Sequence, residues 1–255
     1  MNWTNKLLRS GIATWVVILL IWQGISMQSS PDFLPGPWKT LQGAYELSED
    51  GSLFLYMGIS LSRILSGWII GSLIAIPIGL LMGKVSALRL LTEPFLHFIR
   101  FIPPIAFITL FLLWFGIGET AKVVLIVYAT LFTVILNTMI GVRSIKEDML
   151  RSARNMGASE WQIMQYVIIP STIPHIFTGI RLAMSSSFMA IIGAEMVAAN
   201  EGIGFMIWNS RLYFKTDWIF VGLLCLGMMG FLMDRILTYI GCMTLCRYGI
   251  GRHSD

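Results

Sequence analysis

Few side chains capable of chemistry lie within the long apolar segments of this 255-residue chain. The best candidates among them carry a charge, an amide or a hydroxyl, and they are Asn137, Ser185, Ser186, Ser187 and Glu195, with Arg100 just before the apolar segment that begins at 101. Such groups are costly in hydrocarbon, so each is expected to face a cavity or a partner group. We therefore take these six residues as candidates for a polar pathway through the apolar segments.

Each candidate also has a structural explanation. The serine triplet at 185–187 suits close helix packing, because small residues let backbones approach and hydroxyls can bond the preceding turn. Asn137 fits an interhelical hydrogen bond as well as a pathway. Glu195 is a weaker candidate, since it would repel an anion. Arg100, beside His97 and a pair of prolines, either lines a vestibule that attracts anions or extends to the lipid headgroups.

Nothing in the sequence indicates an enzyme. The three histidines are far apart without a metal-ligand spacing, and they are His97, His175 and His253. We find no nucleophile elbow and no paired carboxylates. The segment nearest to a phosphate-binding loop, 79–85, has the wrong spacing and lacks Ser or Thr after Lys84. We predict no catalytic residues, metal or cofactor of its own, so that any ATP hydrolysis must occur in another chain.

Composition places the chain in a membrane. Hydrophobic residues make up 56% of the chain and charged residues only 13%, whereas soluble domains have about a quarter charged. The mean hydropathy is +0.74. The net charge of +4 comes from Lys and Arg scattered at the ends of apolar runs, without a basic stripe, which argues against nucleic acid as a partner.

About six transmembrane helices are expected. Crossing the hydrocarbon takes roughly 20 apolar residues, and the candidate segments are 12–27, 63–83, 101–116, 122–142, 173–199 and 217–240. The first also resembles a signal peptide, but its late Trp22 and Gln23 and the absence of a clear cleavage site favour a retained helix. Pro103 and Pro104, which lack an N–H, must break or start a helix.

The orientation follows from the basic residues of the loops. Four clusters fall on one side of the predicted helices: Lys6 and Arg9; Lys84 and Arg89; Arg143, Lys146, Arg151 and Arg154; Arg247 and Arg252. Both termini are therefore predicted to be cytoplasmic. The longest cytoplasmic loop, 143–172, has apolar residues at helical spacing in two pieces around Gly157. Such a loop could lie on the membrane surface or dock against a soluble partner.

The loop carries a recognisable motif. From Arg151-Ser152-Ala153, three residues lead to Gly157, and nine more lead to Val167-Ile-Ile-Pro170. This spacing resembles the cytoplasmic EAA loop of ABC importer permeases, with Arg151, Ser152 and Ile169 departing from the pattern. The glycine permits a turn between two short helices, and the proline suits the start of the next helix.

Further motifs resemble permeases for nitrate, bicarbonate, taurine and aliphatic sulfonates. They are 102–122, Gly79-Leu-Leu-Met-Gly83, Asn137-Thr-Met-Ile-Gly141, Gly193-Ala-Glu195, Gly202-Ile-Gly204, and 216–222 with Asp234-Arg235. The last of these is most similar to the aliphatic-sulfonate branch. Together the matches extend from about Arg63 to Arg235.

The resemblance implies an all-α polytopic protein with the type I ABC importer permease fold, in a prokaryotic cell membrane. It implies a homodimer, two cytoplasmic ATPase subunits that use ATP and Mg, and a periplasmic or lipid-anchored solute-binding protein. The loop would couple to the ATPases through Ala153, Met156, Gly157, Ala158, Ser159 and Pro170.

The expected division of the chain has three parts: an N-terminal helix with an outer loop at 1–53, the permease domain at 54–245 with the coupling loop 143–172, and a cytoplasmic tail at 246–255. We expect the solute to be an organic sulfonate or related anion. Nitrate, bicarbonate or an uncharged vitamin precursor is the alternative. A membrane-embedded enzyme or a stand-alone secondary transporter is a competing class, but neither a catalytic set nor repeats with broken mid-membrane helices are evident.

Overall fold

All regular structure in the computed structural model is helical over the described residues, 12–30 and 32–245. The helices are α1 (Ile12–Gln28), α2 (Pro37–Glu49), α3 (Ser52–Lys84), α4 (Ser86–Ile99), α5 (Ile108–Phe115), α6 (Glu119–Arg143), α7 (Glu147–Asn155), α8 (Glu160–Ile163), α9 (Ile169–Ala198), α10 (Ile203–Leu212) and α11 (Thr216–Leu245). A 3₁₀ turn (Pro104–Phe107) precedes α5, and a π-helical segment (Met164–Ile168) joins α8 to α9. The predictions for Lys6, Arg9, Arg247, Arg252, His253 and the tail lie outside the described residues.

Four helical stretches are long and apolar enough to cross a membrane, namely α3, α6, the continuous stretch Glu160–Ala198, and α11. A fifth crossing arises if α4 and the helix at Pro104–Phe115, which are bent by 89° relative to each other, count as one span. Helix α1 is apolar but has only 17 residues. The total of six helices that cross the membrane, and the side on which the termini lie, stay predictions.

The chain forms two compact units. The first comprises the chain up to Ile59 together with Asn200–Gly227. In this unit the indole of Trp22 on α1 stacks on Phe220 of α11 at 5.6 Å between ring centroids. Its Nε1 donates to the carbonyl of Pro35 at 3.0 Å, just before Pro37 opens α2. A ring with a polar edge thus joins α1 to the turn and to α11.

The second unit comprises Ser60–Ala199 and the chain from Met228 onward. Helix α3 approaches α6 closely along a row of glycines spaced by multiples of four: Gly67, Gly71, Gly79 and Gly83. A Cβ atom at Gly79 would lie 2.7 Å from the Cβ of Thr138 and 2.8 Å from the carbonyl oxygen of Ile135. Small residues at helical spacing let two apolar helices pack backbone to backbone in lipid, where no hydrophobic effect drives them together.

Helices α6 and α9 pack against each other along much of their length. Gly141 of α6 meets His175, and Gly179 of α9 meets Asn137. The hydroxyl oxygens of Thr130 and Ser187, both fully buried, lie 3.0 Å apart between the two helices. Helix α6 therefore holds α3 on one side and α9 on another, and it is the central helix of this unit.

The predicted break at Pro103-Pro104 is confirmed. Helix α4 ends at Ile99, and the chain turns by 89° before the 3₁₀ turn begins at Pro104. Phe107 then packs on Tyr128 of α6 with 4.7 Å between ring centroids. The tyrosine hydroxyl donates to the carbonyl of Ile99 at 3.2 Å, which satisfies one of the free carbonyls at the end of α4. These contacts fix the bend against α6.

Candidate functional site: an arginine-lined cavity and a two-helix loop

A cavity of about 440 Å³ lies between the bend, α6 and α9, and we call it the Arg100 cavity. Its lining residues are Arg100, Ile102, Pro104, Tyr128, Ala129, Phe132, Thr133, Leu136, Asn137, Ile140, Ser186 and Met189. Three of the six predicted pathway residues, Arg100, Asn137 and Ser186, are thus brought to one cavity from three separate parts of the chain.

Helix α6 supplies the largest part of the wall. Ala129, Thr133, Leu136, Asn137 and Ile140 line the cavity, and residues three or four apart lie on one face of a helix. The opposite side of the helix is occupied by the glycine row of α3. Helix α6 therefore has one face packed against α3 and another face that lines the Arg100 cavity.

The polar groups of the cavity favour an anion. No carboxylate lines it, and among the described residues no carboxylate lies within ion-pair distance of Arg100. The Arg100 guanidinium is 5.2 Å from the ring centroid of Phe101. Asn137 uses one N–H to donate to the Thr133 carbonyl at 2.8 Å, which leaves its second N–H free to donate elsewhere. One cation and several neutral donors face the same space.

The other three predicted pathway residues lie elsewhere. Ser185 is exposed and does not line the cavity. Ser187 is fully buried, where it donates to the Ala183 carbonyl at 2.9 Å and contacts Thr130, so its position matches the packing explanation. Glu195 is 1% exposed and is hydrogen-bonded within a separate polar cluster.

That cluster, which we call the four-charge cluster, contains Arg63, Glu119, Lys122 and Glu195. Arg63 donates through Nη1 to Glu195 at 2.8 Å and through Nε and Nη2 to Glu119 at 2.5 and 2.7 Å. Lys122 donates to Glu119 at 2.8 Å, and the Ser60 hydroxyl is 2.8 Å from the Glu195 carboxylate. Two cations and two anions balance where α3, α6 and α9 meet, which allows Arg63, Lys122 and Glu195 to be buried, while Glu119 is 61% exposed.

The predicted pair of short helices around Gly157 is present, and we call α7, α8 and the turn between them the two-helix loop. Gly157 lies two residues after the end of α7 and has a φ of +82°, in the left-handed region that favours glycine. The Gly157 N–H donates to the carbonyl of Arg154 at 2.9 Å and the Ala158 N–H to that of Ala153 at 3.1 Å. This pair of bonds is a Schellman motif, which satisfies the last carbonyls of α7. The glycine is thus required by the backbone conformation of the turn.

Ser159 opens α8 through a capping box. Its hydroxyl accepts from the Gln162 N–H at 3.3 Å, and its own N–H donates to the Gln162 side chain at 2.8 Å. The sequence Ser159-Glu-Trp-Gln162 is the signal for this motif, and our sequence analysis overlooked it. Ser159 therefore has a structural role in the loop, whatever it also contacts.

The loop has a buried side and an exposed side. Ala153 packs with Val142, Ile163 and Ile168 in a small core, and Ala158 is partly buried against it. Large apolar side chains remain exposed on the outside: Met149, Met156, Trp161 and Tyr166, with Met156 81% exposed. An apolar surface of this kind on a polar loop is typical of an interaction site.

Glu160 connects the loop to a membrane helix, a role that sequence reasoning missed. Its carboxylate is 3.2 Å from Lys84 Nζ at the end of α3 and 3.0 Å from Arg154 Nε at the end of α7. Arg151, which departs from the family pattern, pairs with Glu147 one turn earlier on α7 at 2.7 Å. The substitution at 151 thus forms an ion pair within its own helix.

Pro170 lies in the first turn of α9, where a missing N–H costs little. The π-helical segment immediately precedes it, with the Ile169 N–H donating to the carbonyl of Met164. The helical path is therefore continuous from Glu160 to Ala198. Pro170 thus lies at the start of α9 as expected, but α9 continues the helical path from α8 and does not follow a non-helical loop.

Comparisons with known proteins agree with this architecture. Residues 75–241 match the family described as binding-protein-dependent transport system inner membrane component. A probable ABC transporter permease protein of Brucella melitensis is 37% identical over 204 residues, which cover 80% of this chain and 83% of that protein. The taurine transport system permease protein of Escherichia coli is 32% identical over 230 residues, which cover 88% and 84%. Other relatives are named for transport of aliphatic sulfonates and bicarbonate.

Among solved structures, the chain is similar to a chain of the MetNI methionine ABC transporter in a structure of its inward-facing conformations. The TM-score is 0.56 at 18% sequence identity, and the match covers 82% of this chain and 99% of that chain. At this identity the likeness concerns the fold alone.

Proposed function

Because this chain belongs to the family of binding-protein-dependent transport system inner membrane components, we propose that it is the permease subunit of an ABC importer for a small organic sulfonate or related anion. The observation that carries the choice of solute is the Arg100 cavity. It presents one arginine without a carboxylate, together with amide and hydroxyl donors. The name of the taurine relative supports the same choice, since taurine is an organic sulfonate.

Transport in this proposal is driven from the two-helix loop. Its exposed apolar side, centred on Met156, docks in a groove of an ATPase subunit. Closure of two ATPases around ATP and Mg displaces the loop, and the continuous helix from Glu160 to Ala198 moves with it. Glu160 passes the displacement to α3 through Lys84. The transporter then alternates between two arrangements that ATP and the loaded binding protein bias.

The assembly in this proposal contains two copies of the chain, two ATPase subunits and one solute-binding protein. The chain itself catalyses no reaction and spans a prokaryotic cell membrane with both termini in the cytoplasm. Residues 1–53 form a helix with an outer loop, residues 54–245 form the permease domain, and residues 246–255 form a cytoplasmic tail.

Bicarbonate or nitrate is the second candidate, favoured by the relative named for bicarbonate transport. Both are anions that Arg100 could attract. An uncharged vitamin precursor receives no such support, because a lone arginine facing the cavity contributes nothing to its binding.

The docking surface can be tested with Met156→Glu. The chain is reconstituted in liposomes with its cognate ATPase and binding protein, and ATP hydrolysis and uptake of a labelled sulfonate are measured. We expect Met156→Glu to insert normally but to lose stimulated hydrolysis, while Met156→Leu retains it. Full stimulation with Met156→Glu would contradict the docking surface. Absence of ATP-driven uptake of any anion by the unmodified complex would contradict the function itself.

A further inference from the structure

We propose that the Arg100 cavity is itself a binding site for an amphiphilic anion, so that the permease selects alkyl sulfonates over nitrate and bicarbonate independently of the binding protein. This inference rests on the proposed function, because it assumes that the solute passes this cavity. It adds a site within the chain, with a polar part and an apolar part that recognise different portions of one ligand.

The polar part holds the oxyanion. Arg100 offers up to five N–H donors in a planar fork that matches a sulfonate, and no carboxylate of the described residues lies within ion-pair distance of it. The second N–H of Asn137 remains free to donate, and Thr133 and Ser186, which carry hydroxyls, line the same cavity. Charge-assisted hydrogen bonds of this type are about twice as strong as neutral ones.

The apolar part holds the carbon chain. Seven of the twelve lining residues are apolar, including Phe132, Ile140 and Met189, so most of the wall offers no hydrogen bond. Nitrate and bicarbonate would lose hydration against such a wall and gain no apolar contact in return. A short alkyl sulfonate gains about 0.8 kcal/mol for each CH₂ that it buries, and a cavity of about 440 Å³ has room for several.

The binding test uses the full chain alone in phosphatidylcholine nanodiscs, without its partners. Saturation-transfer NMR measures magnetisation transfer from the protein to the alkyl protons of butane-1-sulfonate, with empty nanodiscs as background. We expect clear transfer, which butane-1-sulfonamide, an uncharged isostere, shows only weakly. Butane-1-sulfonate should also be displaced at least about tenfold more readily by hexane-1-sulfonate than by nitrate.

The decisive variant is Arg100→Gln, with Arg235→Gln as a matched control. Both arginines are exposed and lie over a phenylalanine ring, Arg100 at 5.2 Å and Arg235 at 5.0 Å, but only Arg100 lines the cavity. Arg100→Gln should weaken binding about tenfold or more, as expected for loss of a charge-assisted hydrogen bond. Arg235→Gln should bind as the unmodified chain does. Asn137→Leu provides a second loss-of-binding variant if Arg100→Gln is poorly folded.

Four results would overturn the inference: equal binding by Arg100→Gln and the unmodified chain, no transfer to the unmodified chain, equal displacement by nitrate, or complete loss of binding in phosphatidylglycerol nanodiscs. The last would identify the cavity as a site for anionic lipid headgroups, because phosphatidylglycerol has a net negative charge whereas phosphatidylcholine, which also carries a phosphate, has none. Because the NMR test contains no ATP or partner, it can succeed where ATP-driven uptake fails, so the site and the proposed function are tested separately.

Discussion

The guanidinium of Arg63 donates to the carboxylate of Glu195 at 2.8 Å, and the two side chains are 6% and 1% exposed. The residues are 132 positions apart, on α3 and α9. With Glu119 and Lys122 they form a cluster of zero net charge. A full charge is tolerated at so buried a position only beside opposite charges and hydrogen-bond donors.

Arg63→Met is therefore expected to destabilise the chain strongly, because it removes the cation that faces both Glu119 and Glu195. The expected loss is about 3–5 kcal/mol in the free energy of unfolding, measured by denaturant titration in detergent micelles. The matched control is Arg151→Met, which removes an exposed Arg–Glu pair within α7 and should cost less than about 1 kcal/mol. Similar losses for both variants would show that burial of the cluster contributes nothing.

Glu160→Gln should impair coupling without unfolding the chain. It removes the charge that holds both Lys84 of α3 and Arg154 of α7. We expect stimulated ATP hydrolysis in liposomes to fall roughly threefold or more, with an unchanged melting temperature. Glu147→Gln is the control, because the described ion pair of Glu147 lies within α7. Normal stimulation with Glu160→Gln would exclude this ion pair from the coupling route.

Gly79→Ala should disrupt the packing of α3 on α6. Its added methyl would lie 2.8 Å from the backbone carbonyl of Ile135, which cannot move without shifting α6. Overpacking of this kind typically costs about 1–3 kcal/mol. Gly58→Ala on the same helix has no atom within 4 Å of the new methyl and should be nearly neutral. Melting temperatures in detergent compare the two, and an equal effect would contradict the close approach at Gly79.

Arg181 and Asp234 form a bidentate ion pair between α9 and α11, at 2.5 and 2.7 Å. Asp234→Arg should lower stability because it opposes two cations, and the exchanged pair Arg181→Asp with Asp234→Arg should recover most of the loss. Since both side chains are about two-fifths exposed, a coupling energy of about 1 kcal/mol is expected from a double-mutant cycle. Additive effects of the two changes would show that the pair contributes no coupling.

Much of the fold was readable from hydropathy and proline, but the start of α3 was not. The predicted segment begins at Arg63, because a charge ends an apolar run, whereas the helix begins at Ser52 and carries Arg63 in its interior. Hydropathy cannot reveal that a charge is neutralised by partners more than fifty residues away, as Glu119 and Glu195 are. The prolines at 103 and 104 were readable because their effect on the backbone is local.

In the candidate site too, features that depend on one residue were predictable and features that depend on tertiary packing were not. Gly157 was predictable because its turn depends on one residue's backbone conformation. Arg100, Asn137 and Ser186 were each suspected, but their meeting in one cavity depends on how the bend packs against α6 and α9. The same packing separates Ser186 from its neighbours Ser185 and Ser187, since consecutive helical residues point about 100° apart.

The π-helical segment at Met164–Ile168 determines the direction in which the side chains of α9 point, because α9 continues directly from it. A π turn contains one more residue than an α turn, so the segment includes one residue that an α-helical turn would not accommodate. If it tightened to an α-helical turn, the side chains of α9 would rotate by about 100° relative to the loop. The π-helical geometry of Met164–Ile168 therefore determines which face of α9 presents Ser186 to the cavity, although Ser186 lies several turns further along the helix.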